Sequence, residues 1–394
     1  VPKNVPAGRP LVLMSLGHAC VDVYQGAVAA LVPFFVSERA WSYAAASGVV
    51  LAASLLSSVA QPLFGLLTDR WAMPWLLPLS AAAAGTGVAL SGVGGSYTPT
   101  LAAVAVSGVG VAAYHPEAAR AARAVSGGSH TAMGWFALGG NAGFACAPLL
   151  VSGVVASGGL GASPLLGVPA LVGVVLCAAA VRSAGARTAG TASVVGTGRD
   201  DWPSFLRLSG AVVCRSIVFV GLSAFVAVYV RERTGGGAAA GTAALCVLYA
   251  GGAVGTLAGS RLAERYGRLP VVRGSYGVTL LAVAGVLLVP GPALYGCVAL
   301  ASAGLYVPFS LHVTLGQDCL PRHMGTASGV TLGLTVSVGG MAAPALGALA
   351  DATSLRTGLV PLLVPPVVAW LLLRGLGEPA GAAPVPAGRD RVSP

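Results

Sequence analysis

The 394-residue chain is 56% hydrophobic and only 9% charged, with a formal net charge of +10 and a mean hydropathy of +0.83. An ordinary globular domain carries about 25% charged residues, so this composition excludes a soluble enzyme and points to an all-α membrane protein. The basic excess would suggest nucleic acid in a soluble chain, but its distribution assigns it to membrane topology instead.

Apolar stretches of about 20 residues can cross a bilayer as helices, and twelve are predicted. The first covers 11–36; it follows a short polar lead without a clear cleavage site and reads as a retained span, not a signal peptide. Five more follow at 43–67, 74–93, 99–122, 130–156 and 163–182. Beyond a Gly, Ser and Thr-rich stretch from Ser183 to Pro203 lie 205–230, 240–262, 270–290, 292–315, 325–350 and 357–375. With both termini cytoplasmic, seventeen Lys and Arg residues lie inside; Arg39, Arg231, Arg233 and Arg356 lie outside and Arg215 sits within a span. That asymmetry follows the positive-inside rule and predicts a multi-pass protein of the plasma (inner) membrane. The seven cysteines form no CxxC pair and read as small apolar packing residues.

The chain repeats with an offset near 195. Asp69 and Glu264 are 195 apart, while Gly108 and Gly304, and Pro148 and Pro344, are 196 apart. The predicted organisation is an N-terminal six-helix half (1–182), a cytoplasmic linker (183–203) and a C-terminal half with a short tail (204–394), related by pseudo-two-fold symmetry. Two parallel six-helix halves are the plan of major facilitator transporters, whose substrate site lies near the bilayer midplane between them. The turns after spans two and eight, with Gly65, Asp69 and Arg70, and with Gly259, Glu264, Arg265 and Arg268, are expected to form a conformational latch. In such a latch a carboxylate caps a helix N-terminus and pairs across the halves in one state only. Glycines at four-residue spacing, Gly139 and Gly143 on span five and Gly251, Gly255 and Gly259 on span eight, allow close helix approach.

Five charged or imidazole side chains lie more than three residues inside a predicted span: His18 and Asp22 on span one, His115 and Glu117 on span four, and Arg215 on span seven. A charge in hydrocarbon is costly and marks a functional site by default. Asp22 and Arg215 sit at matched depth on repeat-related helices, as either a permanent ion pair or a switchable one. His18, one turn before Asp22, lies on the same helix face. Asp22, His18, Glu117 and His115 are the candidate proton-coupling residues; His115, beside the kink expected at Pro116, belongs to a second protonation site or a helix-end cluster. Arg215, Tyr24, Gln25, Asn141, Tyr249 and Tyr306 are the candidate substrate contacts, and His312 reads as a helix-end polar group.

Several of these residues carry a family resemblance: Gly17-His18 with Asp22, Gln61-Pro62-Leu63-Phe64-Gly65 with Asp69, His115-Pro116-Glu117 with Arg120, and Gly139-Gly140-Asn141-Ala142-Gly143 with Pro148. The chain resembles the fosmidomycin-resistance group of the major facilitator superfamily. The resemblance implies a proton-driven exporter of small, often anionic compounds, such as phosphonates. An importer of a small organic anion remains the alternative, and a non-transporting sensor is disfavoured by a tail of only 20 residues after Arg374. The sequence contains no P-loop, dinucleotide fingerprint or HExxH motif, so no catalysis, cofactor or metal is expected. The expected partners are the lipid bilayer, protons and a small-molecule substrate, with no nucleic acid and a monomeric state.

Overall fold

A computed structural model of the protein describes residues 8–126, 130–185 and 199–378. It is helical throughout, without a strand among the described residues. In chain order the helices are α1 (Arg9–Arg39), α2 (Tyr43–Arg70), α3 (Leu76–Leu90), α4 (Tyr97–Ser126), α5 (His130–Gly158), α6 (Val168–Ala184), α7 (Trp202–Thr234), α8 (Ala238–Tyr266), α9 (Arg268–Leu288), α10 (Ala293–Tyr306), α11 (Phe309–Cys319), α12 (Met324–Ala352), α13 (Leu355–Leu359) and α14 (Val364–Arg374). Nine stretches among the described residues are long and apolar enough to cross a membrane, one of them, Trp135–Ala184, running for 50 residues.

Proline explains where the structure departs from uninterrupted spans. It lacks the N–H that an inner helical turn needs and crowds the preceding carbonyl. Pro308 accordingly separates α10 from α11. Pro164 lies in the 3-10 turns that precede α6, and Pro361 in those that precede α14. Elsewhere the backbone absorbs the ring within one helix, at Pro33, Pro62, Pro116, Pro148 and Pro344. Of the predicted linker, residues 186–198 lie outside the described residues. Its end is ordered: Asp201 accepts the Ser204 N–H as N-cap of α7, and Asp200 accepts from the Arg322 N–H and holds His323 at 2.8 Å.

Two groups of helices result. In the first, α1 packs on α5, α6 and α4, and α3 on α4 and α6; in the second, α7 packs on α12, α14 and α8, and α9 on α10. The groups meet through α2 against α12, α5 against α8 and α1 against α7. The central helices are the buried ones, and large apolar side chains cover the outside, with Leu281 75% and Leu171 70% exposed. That inversion suits a hydrocarbon surround, where only the backbone must be satisfied internally.

Glycine sets the closest crossings. A Cβ on Gly143 would meet the backbone of Ala19, and one on Gly139 the backbone of Ser15, so α5 lies directly on α1. The α8 glycines do the same toward α10: Gly251 faces Ser302, Gly255 faces Tyr306 and Gly259 faces Val307. The repeat is finer than the offset of 196 suggested. Gly304 presses on α9, and its counterpart in contact is Gly110, which presses on α3, whereas Gly108 packs on α2.

Candidate transport site

Asp22 is buried at 8% exposure, and two imidazoles hold it. His18, one turn earlier on α1, brings Nε2 to 3.2 Å from Oδ2; His115 from α4 brings Nε2 to 3.0 Å from Oδ1. Gln25 Nε2 donates to the same Oδ1 at 3.3 Å and lies 3.4 Å from His115 Nε2. The three ligand-type atoms fall within 4.8 Å of one another. This joins what the sequence reading kept apart: His115 belongs to the Asp22 site, not to a second one.

The far side of each ring decides the chemistry. His18 Nδ1 is 2.9 Å from the Phe136 carbonyl and His115 Nδ1 is 2.8 Å from the Val111 carbonyl. A carbonyl only accepts, so both Nδ1 atoms carry the proton. Each Nε2 then faces an acceptor-only carboxylate, lone pair against lone pair, until a further proton occupies the contact. His18 Nε2, 3.2 Å from Oδ2, has no hydrogen-bond partner. His18 is instead held by stacking on Phe136, ring centroids 4.3 Å apart.

Gly140 makes room for this cluster. A Cβ there would fall 2.5 Å from Asp22 Oδ2 and 2.8 Å from His18 Nε2. Gly140→Ala is therefore expected to displace Asp22 or His18 and reduce transport several-fold while the chain still reaches the membrane. Transport assayed in vesicles beside a Gly153→Ala control on the same helix, where an added Cβ meets nothing within 4 Å, checks the expectation. In the sequence Gly140 stands out only as part of the Gly139–Gly143 motif, where it directly follows Gly139 of the packing pair.

Glu117 points elsewhere. Two residues along a helix turn the side chain by about 200°, so His115 and Glu117 cannot serve one site. Glu117 is fully buried and forms an ion pair with Arg120 one turn on. Tyr24 is also buried away from the other group of helices, donating to the Leu166 carbonyl at 3.0 Å. Asn141 is half-buried on α5.

Arg215 does not pair with Asp22. It is 2% exposed; Nε donates to the Leu305 carbonyl at 2.5 Å, next to the helix break at Pro308, and NH1 is buried without a partner. The guanidinium lies over the rings of Phe309 at 5.0 Å and Phe219 at 5.8 Å. His312 is no helix-end group: it is buried, with Nε2 3.4 Å from the Tyr276 hydroxyl and its ring within electrostatic reach of Arg215. One turn from Arg215 and Gly140, aromatic rings cross between the helix groups. Phe144 of α5 meets Tyr249 of α8 edge-on at 4.4 Å and approaches Phe219 of α7 at 6.1 Å.

The latch expectation changes as well. Arg268 pairs with Asp318 at 2.6 Å and Glu378 at 3.1 Å, all within α7–α14 and the segment that follows. Glu264 and Arg265 are exposed, and Arg265 lies over Tyr266. The side chains of Asp69 and Arg70 lie outside the described residues.

Residues 14–384 match the family model of the Major Facilitator Superfamily. The chain belongs to that superfamily. Within it, the chain is 29% identical over 378 residues to the fosmidomycin resistance protein of Escherichia coli (strain K12), covering 92% of this chain and 90% of that one. It is 28% identical over 374 residues to YfnC, an uncharacterized MFS-type transporter of Bacillus subtilis (strain 168), covering 92% and 91%. Among solved structures, a bacterial homolog of the human lysosomal transporter Spinster, inward-facing and occupied, superposes with a TM-score of 0.77 at 16% identity, covering 92% and 95%. The nucleoside transporter NupG superposes at 0.74 and 12%, covering 93% and 99%. These structures establish the major facilitator fold. The protein is thus a multi-pass secondary transporter of the superfamily type and not an enzyme.

Proposed function

We propose that this superfamily member is a proton-coupled exporter of small anionic compounds, with phosphonates as the first class to test. One observation carries the proton coupling: two imidazoles whose Nδ1 protons are committed to carbonyls both face a single buried carboxylate. That cluster is satisfied only by taking up protons, so proton loading and its conformation are linked. Arg215 supplies the other half of the reading. A buried guanidinium with an unpartnered NH1 offers charge-assisted donors to an oxyanion. The fosmidomycin resistance protein among its relatives supports the export direction and the phosphonate class.

In this reading the twelve spans form halves at 1–182 and 204–394 joined by 183–203. Both termini are cytoplasmic, the membrane is the plasma (inner) membrane, and the monomer is the working unit. Gln25 tunes the Asp22 cluster, while Tyr249, Tyr306 and Asn141 line the path; Tyr24 and Glu117 hold the N-terminal half together. Substrate enters from the cytoplasm and reaches Arg215, and protons from outside load Asp22 as the halves rock.

The test uses purified protein in proteoliposomes and fosmidomycin as the probe phosphonate. An imposed pH gradient should drive its accumulation against its own gradient, and a protonophore should collapse that accumulation. Gradient-insensitive movement of the probe overturns proton coupling. Proton-driven movement of a carboxylate but not of the phosphonate retains the coupling and replaces the substrate class.

A further inference from the structure

The α2 N-terminus carries an unusual cap. Ser42 accepts the Ala45 N–H at 3.2 Å, which leaves the first two N–H groups of the helix to be satisfied from elsewhere. Asp351, near the end of α12, supplies both acceptors: Oδ1 takes the Tyr43 N–H at 2.8 Å and Oδ2 the Ala44 N–H at 2.9 Å. Glu232, near the end of α7, takes the hydroxyl of the same Tyr43 at 2.5 Å. Two carboxylates from the C-terminal group of helices thus grip a single turn of the N-terminal group. A carboxylate at a helix N-terminus also gains from the helix dipole.

The surroundings are built for this approach. Gly347 lies one turn before Asp351, and a Cβ there would fall 2.8 Å from the carbonyl carbon of Tyr43 and 2.9 Å from the nitrogen of Ala44. Glycine is what lets α12 reach the backbone of α2. Between this grip and the aromatic crossing lies a crevice of only about 10 Å³, where Ala30 of α1 faces Ala227 of α7. The grip, the closed crevice and the aromatic rings stack in series toward the layer of Asp22 and Arg215.

We propose that Asp351 and Glu232 form an outer latch that stabilises the outward-closed state. The inference rests on the orientation given above, which puts the α1–α2 turn and the ends of α7 and α12 outside. Outward opening separates α2 from α12 and breaks all three hydrogen bonds at once, so the latch sets how readily the outer side opens. A carboxylate cap of the kind expected at the cytoplasmic turns is thus present in these side chains at the other end of α2. The basic residues nearest the grip in sequence are Arg233, beside Glu232, and Arg356, five residues after Asp351.

The test follows two single-cysteine reporters in an otherwise cysteine-free full-length chain. Ala30→Cys reads the outer crevice, and Gly329→Cys, whose Cβ position meets no atom within 4 Å, reads the cytoplasmic side of α12. A membrane-impermeant maleimide is applied to right-side-out and inside-out vesicles. Asp351→Ala should speed labelling of the Ala30 reporter from outside by roughly five- to tenfold, as expected for losing one helix cap. It should slow labelling of the Gly329 reporter from inside. Gly347→Val, which pushes the grip apart without touching a charge, should act in the same direction. Unchanged Ala30 labelling in both variants overturns the latch, as does faster labelling of both reporters, which would report general loosening. Accelerated labelling of the Ala30 reporter from the cytoplasmic face would instead overturn the orientation, and the outer placement with it.

Discussion

Asp22→Asn is expected to abolish transport driven by a pH gradient while leaving substrate exchange measurable. Asparagine keeps the size of the side chain and one oxygen acceptor, and its amide can donate to an imidazole Nε2. The ring that faces the amide nitrogen then rests neutral with its Nδ1 proton still on its carbonyl, while the other ring faces the amide oxygen. What disappears is the negative charge that draws further protons into the cluster. The variant avoids the larger penalty of stranding an unpaired buried charge, about 3–5 kcal/mol when one partner of a buried pair is removed. Folding is therefore retained. Accumulation in vesicles under an imposed gradient should fall to the protonophore background, while counterflow with equal pH on both sides persists. Full gradient-driven accumulation by Asp22→Asn would remove the carboxylate from the mechanism.

Arg215→Met is expected to weaken binding of an anionic substrate by roughly 10- to 100-fold, the range for losing a hydrogen bond to a charged group. Methionine fills the space between Phe219 and Phe309 but offers no donor. Arg215→Lys should fall between the two, because ammonium keeps the charge and loses the planar fork that matches an oxyanion. The concentration dependence of counterflow, measured for a phosphonate and for an uncharged analogue, separates the effects: only the anion should suffer. Equal losses for both compounds would make Arg215 a structural group that satisfies the Leu305 carbonyl.

The membrane class, the helical content and the positions of the isolated charges in apolar runs were legible from the sequence. Asp22 stood out because hydrocarbon tolerates a carboxylate only for a reason. The packing role of Gly139 and Gly143 was legible for a similar reason, since a four-residue spacing of small residues lays one stripe along a helix. The site itself was less so. Matched depth favoured Arg215 as the partner of Asp22, yet depth along a helix says nothing of rotation about its axis. The rotation of α4 aims His115 at Asp22, while that of α7 aims Arg215 at the Leu305 carbonyl and the ring of Phe309.

Sequence by itself determined that this chain lives in a bilayer, that it does so as helices, and that a few charged side chains lie inside its apolar runs. Those conclusions follow from transfer energies, which depend on residue type and run length alone. Tertiary structure decided which charges meet, which stay unpaired and where the two groups of helices are fastened. The reason is geometric: a hydrogen bond is lost over an ångström or a few tens of degrees, and only the packing of α1 on α5, α2 on α12 and α4 beside α1 sets positions that finely.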